Sequence, residues 1–307
     1  MTVSNKIDLA RNIQEALAFL QEQTDLPKSG VTEPLGSLLS QCEEALAASA
    51  APAPIRTIHH FACTGGTLIS KCLALVPNVT LLSEIDPLSQ MQNGKSNRFH
   101  PSDFLYAARS GLRPISEQMT IRSFNAGIAE LHRALGEVGR YLVLRDHAHS
   151  QFCTEADPLA RPSLRAILQR VMPVQSVLTL RHPLDSFLSL DSNGWHHFKP
   201  FTLETYAKRY ECFLSEYEDL PKFRYEDFVA NPETELKKIC TILKLPFHSG
   251  TTALLKVVEL TGDSGRSSSR IAPRVRRELP EGIAQQMKSS NAYRRLCTRL
   301  DYPLHDE

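Results

Sequence analysis

The sequence predicts an α/β fold in three layers, a mostly parallel sheet with helices on both faces. Strand-like apolar runs alternate with amphipathic helix-like segments from residue 55 to residue 245, which is how a parallel sheet covered by helices reads. At two points an apolar run passes through a short turn suited to anions into a helix, CTGGT at 63–67 and RHP at 181–183. Ligands of such sheets bind where strands end and helices begin. The 307 residues suit one large domain, or one domain with an appendage.

In chain order, residues 7–23 and 35–48 are expected to be helices, and the Ala/Pro-rich stretch 48–55 a linker. This divides the chain into a helical extension at 1–50 and a domain at 55–307. Strands are expected at 55–62, 79–83, 140–146, 174–180 and 222–228, from their short apolar runs. Helices are expected at 67–76, 163–172, 183–192, 202–220, 232–245 and 281–300, with Pro183 suited to a first helical turn. Residues 88–135 are polar with scattered aromatics and give no clear periodicity. They are a region where an acceptor pocket could be shaped.

The net charge is +1, so no global field points to nucleic acid or to an anionic membrane, and an anion site must be built locally. Seven cysteines occur with no CxxC pair, which argues for reduced thiols in a cytoplasmic protein rather than a disulfide framework or zinc site. The N-terminal segment carries acids and lacks a signal-peptide core, and no run approaches the ~18 apolar residues of a membrane span. No spacing of histidines demands a metal.

In the segment CTGGT, Gly65 and Gly66 let the backbone approach an oxyanion at a helix N-terminus, where amides and dipole favour negative charge. Thr67 can add a hydroxyl. The Walker pattern GxxxxGK[ST] is absent, which speaks against an ATPase or ordinary kinase. In the second segment, Arg181 stands at a strand end with a planar fork suited to phosphate. Ser189 lies eight residues on, inside the next helix, and Asp185 is placed to hold the arginine or cap the turn.

Together the two segments resemble those of the sulfotransferase family. That family pairs a 5′-phosphosulfate loop of the form strand–[KR]SG[ST]T–helix with a 3′-phosphate segment R-x-P-x-D-x-x-x-S. Residues 63–67 resemble the first, and RHPLDSFLS at 181–189 matches the marked positions of the second. The stretch 223–247 is similar to the family's YEDL segment, which would put Tyr225 near an adenine. SGRSSSRIAPRVRR at 264–277 is similar to its basic loop over the 3′-phosphate.

The resemblance implies the P-loop NTPase-like sulfotransferase fold. It implies 3′-phosphoadenosine 5′-phosphosulfate (PAPS) as donor and adenosine 3′,5′-bisphosphate as product. The donor would be bound by Cys63, Thr64, Gly65, Gly66, Thr67, Arg181, Ser189, Tyr225, Arg266, Ser267 and Arg270. One departure stands out, since the family's first loop carries Lys or Arg where this chain has Cys63. Arg145 and Arg181 are the candidates to supply that charge.

Two residues compete as the base. Glu84, in LLSEIDP, resembles the catalytic glutamate of the tyrosylprotein group. Arg145-Asp146-His147 resembles the K-T-H tripeptide of the cytosolic group, whose histidine is the base. The pairs His59-His60 and His196-His197 read as structural or acceptor-lining, and Trp195 as lining or packing. The acceptor is a small molecule, carbohydrate, lipid or peptide, and a homodimer is left open. Alternatives are a P-loop-like small-molecule kinase and a catalytically weak cofactor-binding relative.

Overall fold

The computed structural model describes residues 53–91, 104–110, 112–252, 255, 271 and 279–304. The helices expected at 7–23 and 35–48 lie outside the described residues. Five strands, β1 (Ile55–His60), β2 (Val79–Ile85), β3 (Tyr141–Asp146), β4 (Val174–Leu180) and β5 (Lys222–Arg224), form one sheet. It is parallel throughout, in the order β2-β3-β1-β4-β5. β1 is central, the chain running from it to β2 and β3 on one side and then crossing to β4 and β5 on the other, so the crevice past its C-terminal end is the switch point of the sheet.

The helices are α1 (Gly66–Ala74), α2 (Phe104–Ser110), α3 (Glu117–Glu137), α4 (Ala148–Phe152), α5 (Leu164–Gln169) and α6 (Pro183–Ser192). They continue with α7 (Leu203–Glu216), α8 (Tyr225–Ala230), α9 (Pro232–Leu243), α10 (Glu281–Ser289) and α11 (Asn291–Leu300). The period of two along each strand sorts the core. Ile58, Val143 and Val177 face α1 and α9 through Leu68, Ile69, Leu73, Leu236 and Ile239. Leu142 and Leu144 pack on Ile121, Phe124 and Ile128 of α3 and on α5. Leu178 and Leu180 meet α6, α7 and α11. The expected α/β layering is therefore present, with helices on both faces.

Local expectations need correction at three places. Residues 88–135 hold most of the 21-residue helix α3, whose N-cap Ser116 accepts the amide of Met119. Its buried side includes only Thr120, Ile121, Phe124, Asn125 and Ile128, a narrow stripe that weakens the periodic signal. The expected strand 222–228 ends at Arg224, and Tyr225 opens α8 instead. The expected helix 281–300 is broken at Ser290 into α10 and α11.

The break at Ser290 is built from charge. Ser290 Oγ caps the amide of Tyr293 at 3.1 Å and donates to Glu204 Oε2 at 2.7 Å. The amide of Ala292 donates to the same oxygen at 2.9 Å, so a carboxylate from α7 sits on the positive end of α11. These bonds, that from Ser290 first, hold the Glu204 carboxyl at a pKa of about 2 against an ordinary 4.5. A depressed carboxylate stabilises the fold above its unfolded pKa and loses that contribution on acidification. Glu204→Gln is therefore expected to lower the melting temperature at neutral pH. The deficit should shrink as pH falls from 4.5 toward about 2, as read from melting curves of both proteins across that range.

Candidate active site

After β1 the chain turns through residues 61–65 into α1. Cys63 takes φ 62° and Gly65 φ 86°. The left-handed region costs a non-glycine residue about 1–2 kcal/mol, so Cys63 must be held there. Arg181 Nη1 donates to its carbonyl at 3.2 Å, and Asn193 Nδ2 approaches its Sγ at 3.8 Å. Thr64 turns inward, its hydroxyl and amide both returning to the Phe61 carbonyl at 2.8 and 3.3 Å. Thr64 thus shapes the loop and is buried. Gly65, the N-cap of α1, provides no side-chain cap for the first turn, and the amides and dipole of a helix N-terminus favour an anion.

The two glycines have separate tasks. A Cβ on Gly65 would lie 2.2 Å from Cδ2 of Tyr225, and one on Gly66 would lie 2.2 Å from Cγ of His60. Each therefore admits a ring against the loop. The Tyr225 ring in turn carries the Arg181 guanidinium, 4.8 Å from its centroid, a cation–π contact. Cys63, Gly65, Arg181 and Tyr225 are thus brought together from three separate stretches of sequence.

Arg181 leaves β4 just before α6, whose N-cap is His182. The His182 amide donates to Glu226 Oε1 at 3.0 Å, and the Tyr302 hydroxyl donates to Glu226 Oε2 at 2.8 Å. The glutamate of the YED segment therefore braces the turn that carries Arg181. Ser189 stands two turns into α6 and is half-buried. Arg266, Ser267 and Arg270 lie outside the described residues.

On the other flank of the loop, strand alternation sends neighbouring residues to opposite faces. His60 and Arg145 share the face of α1, whereas His59 and Asp146 share the other. Arg145 is 3 % exposed. Its Nε donates to His60 Nε2 at 2.8 Å, Nη1 to Ser83 Oγ at 2.9 Å and Nη2 to Thr67 Oγ1 at 2.9 Å. Nη2 also pairs with Glu84 Oε1 at 2.7 Å. Guanidinium Nε is only a donor, so His60 Nε2 is a bare acceptor and Nδ1 carries the proton toward the Phe61 carbonyl, 3.3 Å away. Burial, reinforced by the Arg145 charge, holds the pKa of His60 well below 6.5.

Glu84 has φ 58° beside a register shift between Leu82 and Ile85 of β2. That bulge re-aims one residue at the end of an otherwise regular strand. Glu84 Oε2 lies 3.3 Å from His147 Nε2, and the His147 amide donates to the Ile85 carbonyl at 3.1 Å. Glu84, Arg145, His147 and Thr67 are therefore one connected group.

Asp146 serves a different set. Its Oδ2 is bonded to His59 Nδ1 at 2.7 Å and accepts from the Tyr217 hydroxyl at 2.9 Å. His59 stacks on Tyr217 at 4.3 Å, and His59 Nε2 meets Thr57 Oγ1 at 2.9 Å. This buried network fixes the end of β3 from beneath. His59 and His60 are thus structural.

A model of the sulfotransferase family matches residues 61–254. The chain belongs to this family. The matched region contains the loop, Glu84, Arg145, His147, the 181–189 segment and Tyr225. Among solved structures it is similar to the sulfotransferase domain from the curacin biosynthetic pathway, at 17% identity and TM-score 0.49, covering 83% of this chain and 99% of that one. The sulfotransferase domain of the Synechococcus PCC 7002 olefin synthase is similar at 18% identity and TM-score 0.45, covering 83% of this chain and 96% of that one. The mouse sulfotransferase SULT7A1 complexed with PAP is similar at 12% identity and TM-score 0.37, covering 81% and 89%. No curated protein matches significantly. Among the described residues no helix is long and apolar enough to cross a membrane, and no group of three His, Cys, Asp or Glu is arranged for a metal.

The contact of Gly66 with His60 gives a direct test. Gly66→Ala is expected to cost about 1–3 kcal/mol, the range for overpacking. Gly127→Ala, where a Cβ meets nothing within 4 Å, should gain up to about 1 kcal/mol from helix propensity. Denaturant unfolding of the two variants measures both.

Proposed function

We propose that the protein is a PAPS-dependent sulfotransferase that moves a sulfuryl group directly to a hydroxyl or amine. The observation that carries this reading is the convergence of Arg181, Tyr225 and Cys63–Thr67 on one helix N-terminus. In this reading the loop amides and Thr67 take the 5′-phosphosulfate, and Arg181 and Ser189 take the 3′-phosphate. Tyr225 lies near the adenine, and Arg266, Ser267 and Arg270 are further donor-binding residues. Arg145, one hydrogen bond from Thr67, supplies the positive charge that Cys63 does not.

In sulfuryl transfer the acceptor oxygen attacks sulfur in line, and the S–O bond to the 5′-phosphate breaks with its electron pair on the phosphate. Positioning and electrostatics supply most of the acceleration for such transfers. The acceptor proton goes to the Glu84–His147 pair, with Glu84 as base and His147 orienting the acceptor. Arg145 engages one oxygen of Glu84 and leaves the other toward His147. In this reading the sulfotransferase domain spans 55–307. Among the described residues the cysteines form no disulfide, which suits a cytoplasmic setting.

Calorimetry tests the donor site. Adenosine 3′,5′-bisphosphate should bind at micromolar concentration without Mg²⁺, and Arg181→Ala should weaken it by about 1.5–3 kcal/mol. Binding of ATP–Mg²⁺ in its place would identify a kinase instead. Glu84→Gln should keep donor binding and lower transfer from labelled PAPS by roughly 10²-fold or more. If His147→Ala has that effect and Glu84→Gln does not, the histidine is the base. Donor binding without transfer to any acceptor in a broad panel would identify a catalytically weak relative.

A further inference from the structure

The segment that follows α11 doubles back onto the turn that carries Arg181. Asp301 takes φ 53°, and the amides of Asp301 and Tyr302 return to the carbonyls of Thr298 and Cys297 at 3.2 and 2.9 Å. This Schellman reversal sends Tyr302 and Pro303 off the helix. The Pro303 carbonyl accepts from His182 Nε2 at 3.1 Å. Nδ1 of the same ring accepts the amide of Leu184 at 3.2 Å, so the proton sits on Nε2. The ring of His182, 3 % exposed, is thus held by both nitrogens.

Tyr302 reaches the same turn by a second route. Its hydroxyl and the His182 amide share one carboxylate, donating to Glu226 Oε2 at 2.8 Å and Oε1 at 3.0 Å. The Tyr302 ring lies 5.1 Å from that of His182 and carries the Arg224 guanidinium 4.7 Å from its centroid. Arg224 Nη2 donates to the Leu300 carbonyl at 2.6 Å, which ties the end of α11 to β5. Burial, then the Glu226 charge, pushes the Tyr302 hydroxyl well above its ordinary pKa of 10. It therefore remains a donor throughout the neutral range.

We infer that Tyr302 and Pro303 are positioning residues of the donor site: they fix the His182 turn, and with it the direction in which Arg181 presents its guanidinium to a 3′-phosphate. This rests on the sulfotransferase reading only for the identity of that phosphate. The Arg181 amide donates to the Tyr210 hydroxyl at 3.3 Å, and a planar peptide joins Arg181 to His182. Its backbone is therefore held from both sides, and release of the His182 amide from Glu226 re-aims the side chain. A planar fork engages phosphate within a narrow range of directions. A misdirected fork loses the 3′-phosphate while the 5′ side stays in place. The segment after α11 thus sets how strongly a 3′-phosphorylated nucleotide is preferred over one without that group.

Tyr302→Phe removes the hydroxyl and keeps the ring over Arg224. Calorimetry on the full-length protein compares adenosine 3′,5′-bisphosphate with adenosine 5′-monophosphate, which lacks the 3′-phosphate. The variant should bind the bisphosphate roughly fivefold more weakly and the monophosphate as wild type does. In an Arg181→Ala background the same change should cost less than about twofold, since both substitutions act through one contact. Deuterium uptake by the nucleotide-free protein gives a second readout, in which the His182 amide exchanges roughly fivefold faster in the variant. If Tyr302→Phe melts below wild type, Glu226→Gln carries the same comparisons, because its one amide oxygen cannot serve both donors as the carboxylate does.

Unchanged bisphosphate affinity in a folded variant, equal weakening of both nucleotides, or full additivity with Arg181→Ala overturns the inference. If wild type binds neither nucleotide, the donor reading fails and the exchange rate at His182 decides alone. Faster exchange then keeps the hold of Tyr302 on the turn, and unchanged exchange removes it.

Discussion

The end of this sheet is organised around one buried guanidinium. Arg145 is removed from water, and a buried charge is tolerable only when it is paired and fully hydrogen-bonded. Its partners come from three elements: His60 on β1, Ser83 and Glu84 on β2, and Thr67 in the first turn of α1. Each partner is constrained in return. His60 must present a lone pair, and Glu84 must leave regular strand geometry to bring its carboxylate within reach. Removing Glu84 or Arg145 alone would strand the other's charge, at a cost of up to about 3–5 kcal/mol. The positive φ of Glu84 is a smaller cost, and the ion pair offsets it.

The same strand that brings Arg145 to the face of α1 brings Asp146 to the opposite face, where His59 and Tyr217 hold it. The segment 145–147 is therefore clamped from above and below before its last residue, His147, reaches Glu84. Rigid elements thus position the connected group, with β1 supplying one histidine to each clamp. A site held in this way limits how far its members can drift, which is what an in-line transfer requires.

Much of this was readable from residue types alone. The layering followed from the apolar runs of β3 and β4 and from the amphipathic helices between strands. The 181–189 segment was legible because Arg181, Pro183 and Ser189 keep a local spacing. Other features depend on tertiary context. α3 escaped because its buried stripe is narrow, and Tyr225 read as strand because Phe223 and Tyr225 keep a strand's spacing of two. The break at Ser290 needs Glu204, which is 86 residues away. Glu84 was singled out, but its bulge was not, since a register shift depends on the neighbouring strand. His60 read as one of a pair, yet alternation gives His59 and His60 unrelated partners.

The loop before α1 carries one further lesson, about descent. Its two glycines are each filled by a neighbouring ring, Tyr225 against Gly65 and His60 against Gly66. The loop is a cast of those rings as much as a cradle for an anion. During divergence, position 66 can then enlarge only if residue 60 shrinks, whereas Gly65, at φ 86°, is strained by any side chain. A lineage that enlarges residue 66 must shrink residue 60, and so gives up the acceptor that steadies Arg145. A fixed glycine at 65, and covariation between 60 and 66, is the pattern this packing would leave among relatives.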